Sequence, residues 1–189
     1  MSTRSLLAVL CHIVLLPLLS VNIAGCSGNK CDSSEIEHII RRYNHLVIQG
    51  YRNQDMNPMQ EVTTEEQAHK LYHHMAALGE GQLRMESELK GIIFKKTDLR
   101  GNSDATVETE ETWDFSHRKM ATNEKYAEEK GFIYRMGYVL NKKDGRWMIT
   151  QVNTISGTST NTVIPWPRLD RKGNRVTPSR DNAKPANHP

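Results

Sequence analysis

"GFIYRMGYVLNKKDGRWMITQVNTI", residues 131–155, decides the fold. Phe132, Tyr134, Met136, Tyr138 and Leu140 fall on every second position, so an extended chain carries them on one face. "KKDG" turns the chain, because Asp144-Gly145 supplies two residues that tolerate positive φ. "RWMITQVNTI" then runs back as the partner strand. The segment reads as a long antiparallel hairpin with one apolar, aromatic-rich face.

Working towards the N-terminus, "ATVETEETWDF" (105–115) alternates in the same way. Ala105, Val107, Thr109, Glu111, Trp113 and Phe115 share one face, and acids and threonines dominate the other. "SHRKMATNEKYAEEK" (116–130) reads as a polar excursion between strands. "QLRMESELKGIIFKKTDL" (82–99) is a further strand with a bend or bulge at Gly91, and "RGNSD" is a turn.

Before residue 82 the period is helical. Ser34 and Glu37 form a capping box, followed by Ile36, Ile39, Ile40, Tyr43, Val47 and Ile48 or Tyr51 at helical spacing. Asn57-Pro58 interrupts this pattern. A second helix starts at Thr63 or Thr64, with Ala68, Leu71, Tyr72, Met75 and Leu78 as its stripe and Gly79 and Gly81 at its exit. Helices first and an antiparallel meander after them make an α+β domain, with a curved sheet burying both helical stripes.

This order, with "ATV" at 105–107, "YRMGY" at 134–138 and "DGRW" at 144–147, resembles the NTF2-like superfamily. Within it, the C-terminal half looks most like the inner-membrane-space domain of chloroplast-division proteins and their bacterial relatives. The resemblance spans about residues 33–155. It implies a cone of strongly bent sheet closed over helices, and by analogy a homodimer through the outer sheet face. These motifs speak to fold rather than to function, because one fold carries many chemistries.

The first 25 residues read as an export signal. Arg4 is the only charge before Lys30, and Leu6 to Leu19 is almost wholly apolar. That run is shorter than the ~20 apolar residues needed to span a bilayer. Ile23-Ala24-Gly25-Cys26 resembles the lipobox of bacterial lipoproteins. The resemblance implies a diacylglyceryl thioether on Cys26, cleavage before it, and a palmitate-type acyl chain on the freed amine. More than one chain is what a stable anchor needs. Residues 26–32 then form a lipidated tether. The implied address is the cell envelope, and the outer membrane where the host has two, since Ser27 rather than an aspartate follows Cys26. Once Cys11 leaves and Cys26 is modified, Cys31 has no disulfide partner in the chain.

Net charge is +3, but residues 31–155 carry 17 basic and 20 acidic side chains, whereas residues 156–189 carry six and two. The basic character therefore belongs to the tail, and the body does not read as a nucleic-acid binder. The tail, 156–189, is polar and rich in Pro, Asn, Arg and Ser. It is expected to be extended or disordered, pinned near Ile164, Trp166 and Leu169.

Candidate chemistry is sparse. His69 and His73 share a helix face at a spacing that can bind zinc, but no third ligand is evident, and a polar helix flank is the plainer reading. His38 and His45 read as the exposed side of the first helix. Glu111 lies on the apolar face of its strand. If that face is concave, it is a candidate base, with Tyr43, Tyr72 or Tyr138 as donors and Trp113 beside it; otherwise it lies at the sheet rim or pairs with Arg135. There is no phosphate-cradling glycine loop and no serine-histidine-acid frame, and no cofactor is implied.

The reading favoured by these features is a lipid-anchored extracytoplasmic binding or scaffolding module for a small apolar ligand or a protein partner. The alternative is an isomerase- or dehydratase-like enzyme with Glu111 in the cone interior.

Overall fold

The computed structural model describes residues 28–169 and 175–176. The export signal and Cys26 lie outside the described residues. Helix α1 (Gly28–Asn53) is followed by a short 3-10 turn (Asn57–Glu61) and helix α2 (Glu65–Glu80). The strands are β1 (Leu83–Arg100), β2 (Asp104–Lys119), β3 (Lys125–Lys143), β4 (Arg146–Thr158) and β5 (Asn161–Ile164). They form one antiparallel sheet in the order β1-β2-β3-β4, with β5 paired to β3. β6 (Arg168–Leu169) and β7 (Arg175–Val176) form a separate two-stranded ribbon.

β3 is long enough to serve two partners. Its second half, from Ile133, pairs with β4, and Glu128 to Lys130 pair with β5. Bulges break the β1–β2 register at Lys90, beside the expected Gly91, and again between Phe94 and Lys96. A further break falls between Trp113 and Phe115. Opposite it, Gly131 takes φ +62°, and its N–H donates to Asp114 Oδ1 at 2.7 Å. Each bulge adds local twist, so the sheet curls rather than lying flat. Asp144 and Gly145, at φ 52° and 78°, make the β3–β4 turn as the sequence predicts.

The core forms where the helical stripes meet the concave sheet face. Ile36, Ile40, Tyr43 and Leu46 of α1 pack with Val107, Tyr138, Leu140, Trp147 and Ile149. Burying each large apolar side chain contributes roughly 1.5–3 kcal/mol. The segment 62–64 lies on the free edge of β4, with Ile149 N–H donating to Val62 O at 2.8 Å and Thr64 N–H donating to Ile149 O at 3.0 Å. That edge is thereby covered at Ile149.

Four expectations need correction. α1 begins at Gly28, so Ser34 and Glu37 lie inside the helix and the capping box does not start it. The early turn has a tertiary anchor instead: Asp32 Oδ1 accepts from Lys142 Nζ at 2.7 Å and from Trp147 Nε1 at 3.1 Å. Residues 28–32, read as tether, are therefore helical. The polar excursion at 116–130 is a hairpin, with β2 running to Lys119 and β3 beginning at Lys125. Finally, sheet pairing does not stop at 155: β4 continues to Thr158 and β5 adds 161–164, within the stretch read as tail.

Candidate functional site

Between α1, α2 and the concave face of β1–β4 lies a cavity of about 530 Å³. Its deep end is polar. Glu111, 2% exposed, projects from β2 between Thr109 and Trp113 on the inward face that alternation assigned to it. Its Oε1 accepts from the Tyr138 hydroxyl at 2.7 Å and from Thr109 Oγ1 at 2.8 Å. Its Oε2 accepts from Trp113 Nε1 at 3.0 Å. A carboxylate offers about four lone-pair positions, so about one remains, on Oε2.

The Tyr138 hydroxyl also lies 3.4 Å from Asn44 Oδ1, which brings the α1 amide to the same point. Tyr43 packs edge-on to Tyr138, ring centroids 5.8 Å apart. Burial pushes the phenols of Tyr43 and Tyr138 above the usual tyrosine range, and Glu111 raises Tyr138 further, so both stay protonated donors.

The middle of the cavity is apolar, walled by Val47, Leu71, Leu78, Met85, Trp113 and Met136. Its outer end is polar again. Ser87 and His117 face it, and the Tyr51 hydroxyl is hydrogen-bonded to His74 Nδ1 beside them. Burial, with a smaller contribution from His74, pulls His117 down to about 4, so its imidazole is neutral near pH 7. Trp166, from the segment after β5, packs tilted against His117 at 4.6 Å and edge-on to Tyr126 at 5.5 Å, flanking this end.

Three cavity-lining polar atoms are buried without a protein hydrogen-bond partner: Asn44 Nδ2, Ser87 Oγ and His117 Nδ1. Leaving such a group unpaired costs about 1–3 kcal/mol, and most buried polar groups avoid it. All three face the same cavity, two of them at its outer end and one at its deep end.

Of the residues singled out from sequence, Glu111, Tyr43, Trp113 and Tyr138 come together here. Tyr72 does not: it is 51% exposed and outside the cavity. The Glu111–Arg135 pairing is not formed either, since Arg135 meets Glu108 at 3.2 Å on the convex face. His69 and His73 are exposed with rings 6.1 Å apart, and no group of three metal-ligating side chains occurs among the described residues. His38 and His45 are exposed, as expected.

Sequence reasoning missed Asn44, Ser87, His74, His117 and Trp166. His117 was within reach, because the alternation through Trp113 and Phe115 extends two positions further to it. Asn44 stands four residues after Ile40 on the buried stripe, where a polar residue is itself a signal.

No family model matches this chain, and no curated protein does. Among solved structures it is similar to the intermembrane space region of the chloroplast protein ARC6, at 13% identity and a TM-score of 0.54. That match covers 63% of this chain and 92% of the other. A second similarity is to a scytalone dehydratase-like protein from Novosphingobium aromaticivorans, at 14% identity and a TM-score of 0.42. It covers 76% of this chain and 98% of that one. The fold is an α+β cone, two helices packed on a strongly curved five-stranded antiparallel sheet. At these identities the likeness extends to architecture and not to chemistry.

Proposed function

We propose that this chain is a lipid-anchored, extracytoplasmic binding module whose cone cavity holds one small, largely apolar ligand. The observation that carries this reading is the cavity of about 530 Å³ with unpartnered buried polar atoms at both ends. A core packed only for stability would fill that volume and pair those atoms. Pockets of this size, mostly apolar with a few fixed polar groups, are the usual form of small-molecule sites. The lipobox at Ile23–Cys26 supports the membrane tether, and no helix among the described residues is long and apolar enough to span a bilayer.

The test is titration of the full chain with N-phenyl-1-naphthylamine, a neutral probe that fluoresces in apolar surroundings. Saturable one-to-one binding is expected, and Val47→Trp, which fills the cavity from α1, abolishes it. Undiminished binding to that variant rejects the cavity as the site.

The enzymatic alternative, an isomerase or dehydratase using Glu111, draws support from the position of that carboxylate in the cavity wall. Three protein donors already occupy its oxygens, so its plainer role is to hold Tyr138 and Trp113 in place. An activity retained in Glu111→Gln removes the enzymatic reading in this form.

A further inference from the structure

We infer that the ligand is an uncharged hydroxyl compound, an alcohol or phenol with an apolar body, whose hydroxyl docks between Asn44 Nδ2 and Glu111 Oε2. This inference rests on the cavity being a binding site and names what it selects.

The deep end offers one donor and one acceptor. Asn44 Nδ2 is a buried donor without a partner. Glu111 Oε2 accepts only from Trp113 Nε1 and keeps an acceptor direction. Both residues line the cavity beside the Tyr138 hydroxyl, Asn44 reaching it through Oδ1 and Glu111 through Oε1, so Nδ2 and Oε2 belong to the same end of the cavity. A hydroxyl is the smallest organic group that donates and accepts at once, and it satisfies both. A carbonyl answers Asn44 alone, and an amine held as a cation answers Glu111 alone.

The charge pattern excludes acids. Among the described residues no lysine or arginine lines the cavity, and Glu111 is the one carboxyl group that does. An anionic headgroup would lose its hydration and meet no cation. The far end makes the same demand. Ser87 and His117 present neutral unpaired atoms there. Ser87 stands opposite Phe115, four positions along β2 from Glu111, or roughly 13 Å of strand before allowing for the bulge. The guest therefore has an apolar length of about two fused or linked rings, with a second polar atom where it approaches the mouth.

Calorimetric titration of the full chain with 4-phenylphenol, biphenyl and biphenyl-4-carboxylate near pH 7 tests this. 4-Phenylphenol is expected to bind tightest, with the carboxylate weaker by about tenfold or more. In Asn44→Leu and Glu111→Gln the advantage of the phenol over biphenyl falls to about twofold or less. If Glu111→Gln fails to fold, Asn44→Leu and the wild-type ranking still decide. Equal binding of phenol and biphenyl, tighter binding of the carboxylate, or a phenol preference that survives both substitutions overturns the hydroxyl assignment alone. If none of the three probes binds and N-phenyl-1-naphthylamine does not bind either, the binding reading beneath it falls as well.

Discussion

The Tyr138 hydroxyl donates to Glu111 Oε1 at 2.7 Å from a neighbouring strand, and neither side chain is more than 2% exposed. This contact fixes the deep end of the cavity. Tyr138→Phe removes a donor and leaves the carboxylate with two. Loss of about 1–3 kcal/mol in urea unfolding is expected, with the fold retained. For a chain of this size that is a fall of roughly 2–4 °C in Tm per kcal/mol. A variant as stable as the parent would show that the pair is not a structural contact.

His117 makes stability depend on pH in a defined window. Its folded value is about 4 against an ordinary 6.5, so between these the unfolded chain holds a proton that the folded chain lacks. Its stabilising contribution is full above 6.5 and is lost as pH falls towards about 4. One such group changes stability by at most about 1.4 kcal/mol per pH unit. Melting curves from pH 7 to pH 4 are expected to fall less steeply for His117→Gln than for the parent. Parallel curves would contradict the burial of a neutral imidazole.

Asp32 ties the N-terminal end of α1 to the β3–β4 hairpin. Hydrogen bonds from Lys142 and then Trp147 hold its carboxyl below the usual 3.8. The group is ionised above its ordinary value in both states, so its contribution is present there and fades as pH falls through the lower folded value. Asp32→Asn is expected to lower Tm at neutral pH and to match the parent in strong acid. Amide exchange should show faster opening of the first turns of α1 in the variant. Unchanged exchange would mean that this anchor does not hold the helix start.

Gly131 sits mid-strand at φ +62°, with Thr160 Oγ1 2.9 Å from where a Cβ would stand. Gly131→Ala meets both a backbone penalty of about 1–2 kcal/mol and a close contact with the chain leading into β5. Destabilisation of that order is expected in denaturant melts, together with weaker probe binding, because the Trp166 segment follows β5. A neutral substitution would contradict the bend at this position.

These corrections show what local sequence could carry. Alternation located the concave face correctly from Ala105 to Phe115 and from Phe132 to Leu140, because a strand with one buried face writes its period into the sequence. The extent of the strands was not legible beyond the bulge at Asp114, where the chain turns polar. There β2 and β3 run on as a hairpin through Ser116–Lys119 and Lys125–Lys130, flanked by strands distant in sequence, β1 on one side and β5 on the other. The start of α1 was misplaced for the same reason: Ser34 and Glu37 are a sound local signal, and the contacts of Asp32 across the fold outweigh it. Glu111 was legible as a polar residue on an apolar face. Trp166 was legible only as a pin, since its ring contact with His117 joins two segments that no spacing links.

The address has its own test. Cells expressing the parent chain, fed a clickable fatty acid, are expected to yield labelled protein in the membrane fraction, and Cys26→Ser should abolish both the label and the fractionation. Label and membrane retention that persist in Cys26→Ser would refute lipid attachment at that residue.

The most direct measurement of the central claim is a crystal structure of the protein soaked with N-phenyl-1-naphthylamine. The account predicts density for one probe molecule inside the cone, against Val47, Trp113 and Met136, reaching towards Asn44. A cone holding side chains alone, with the probe on the convex face or absent, would contradict it.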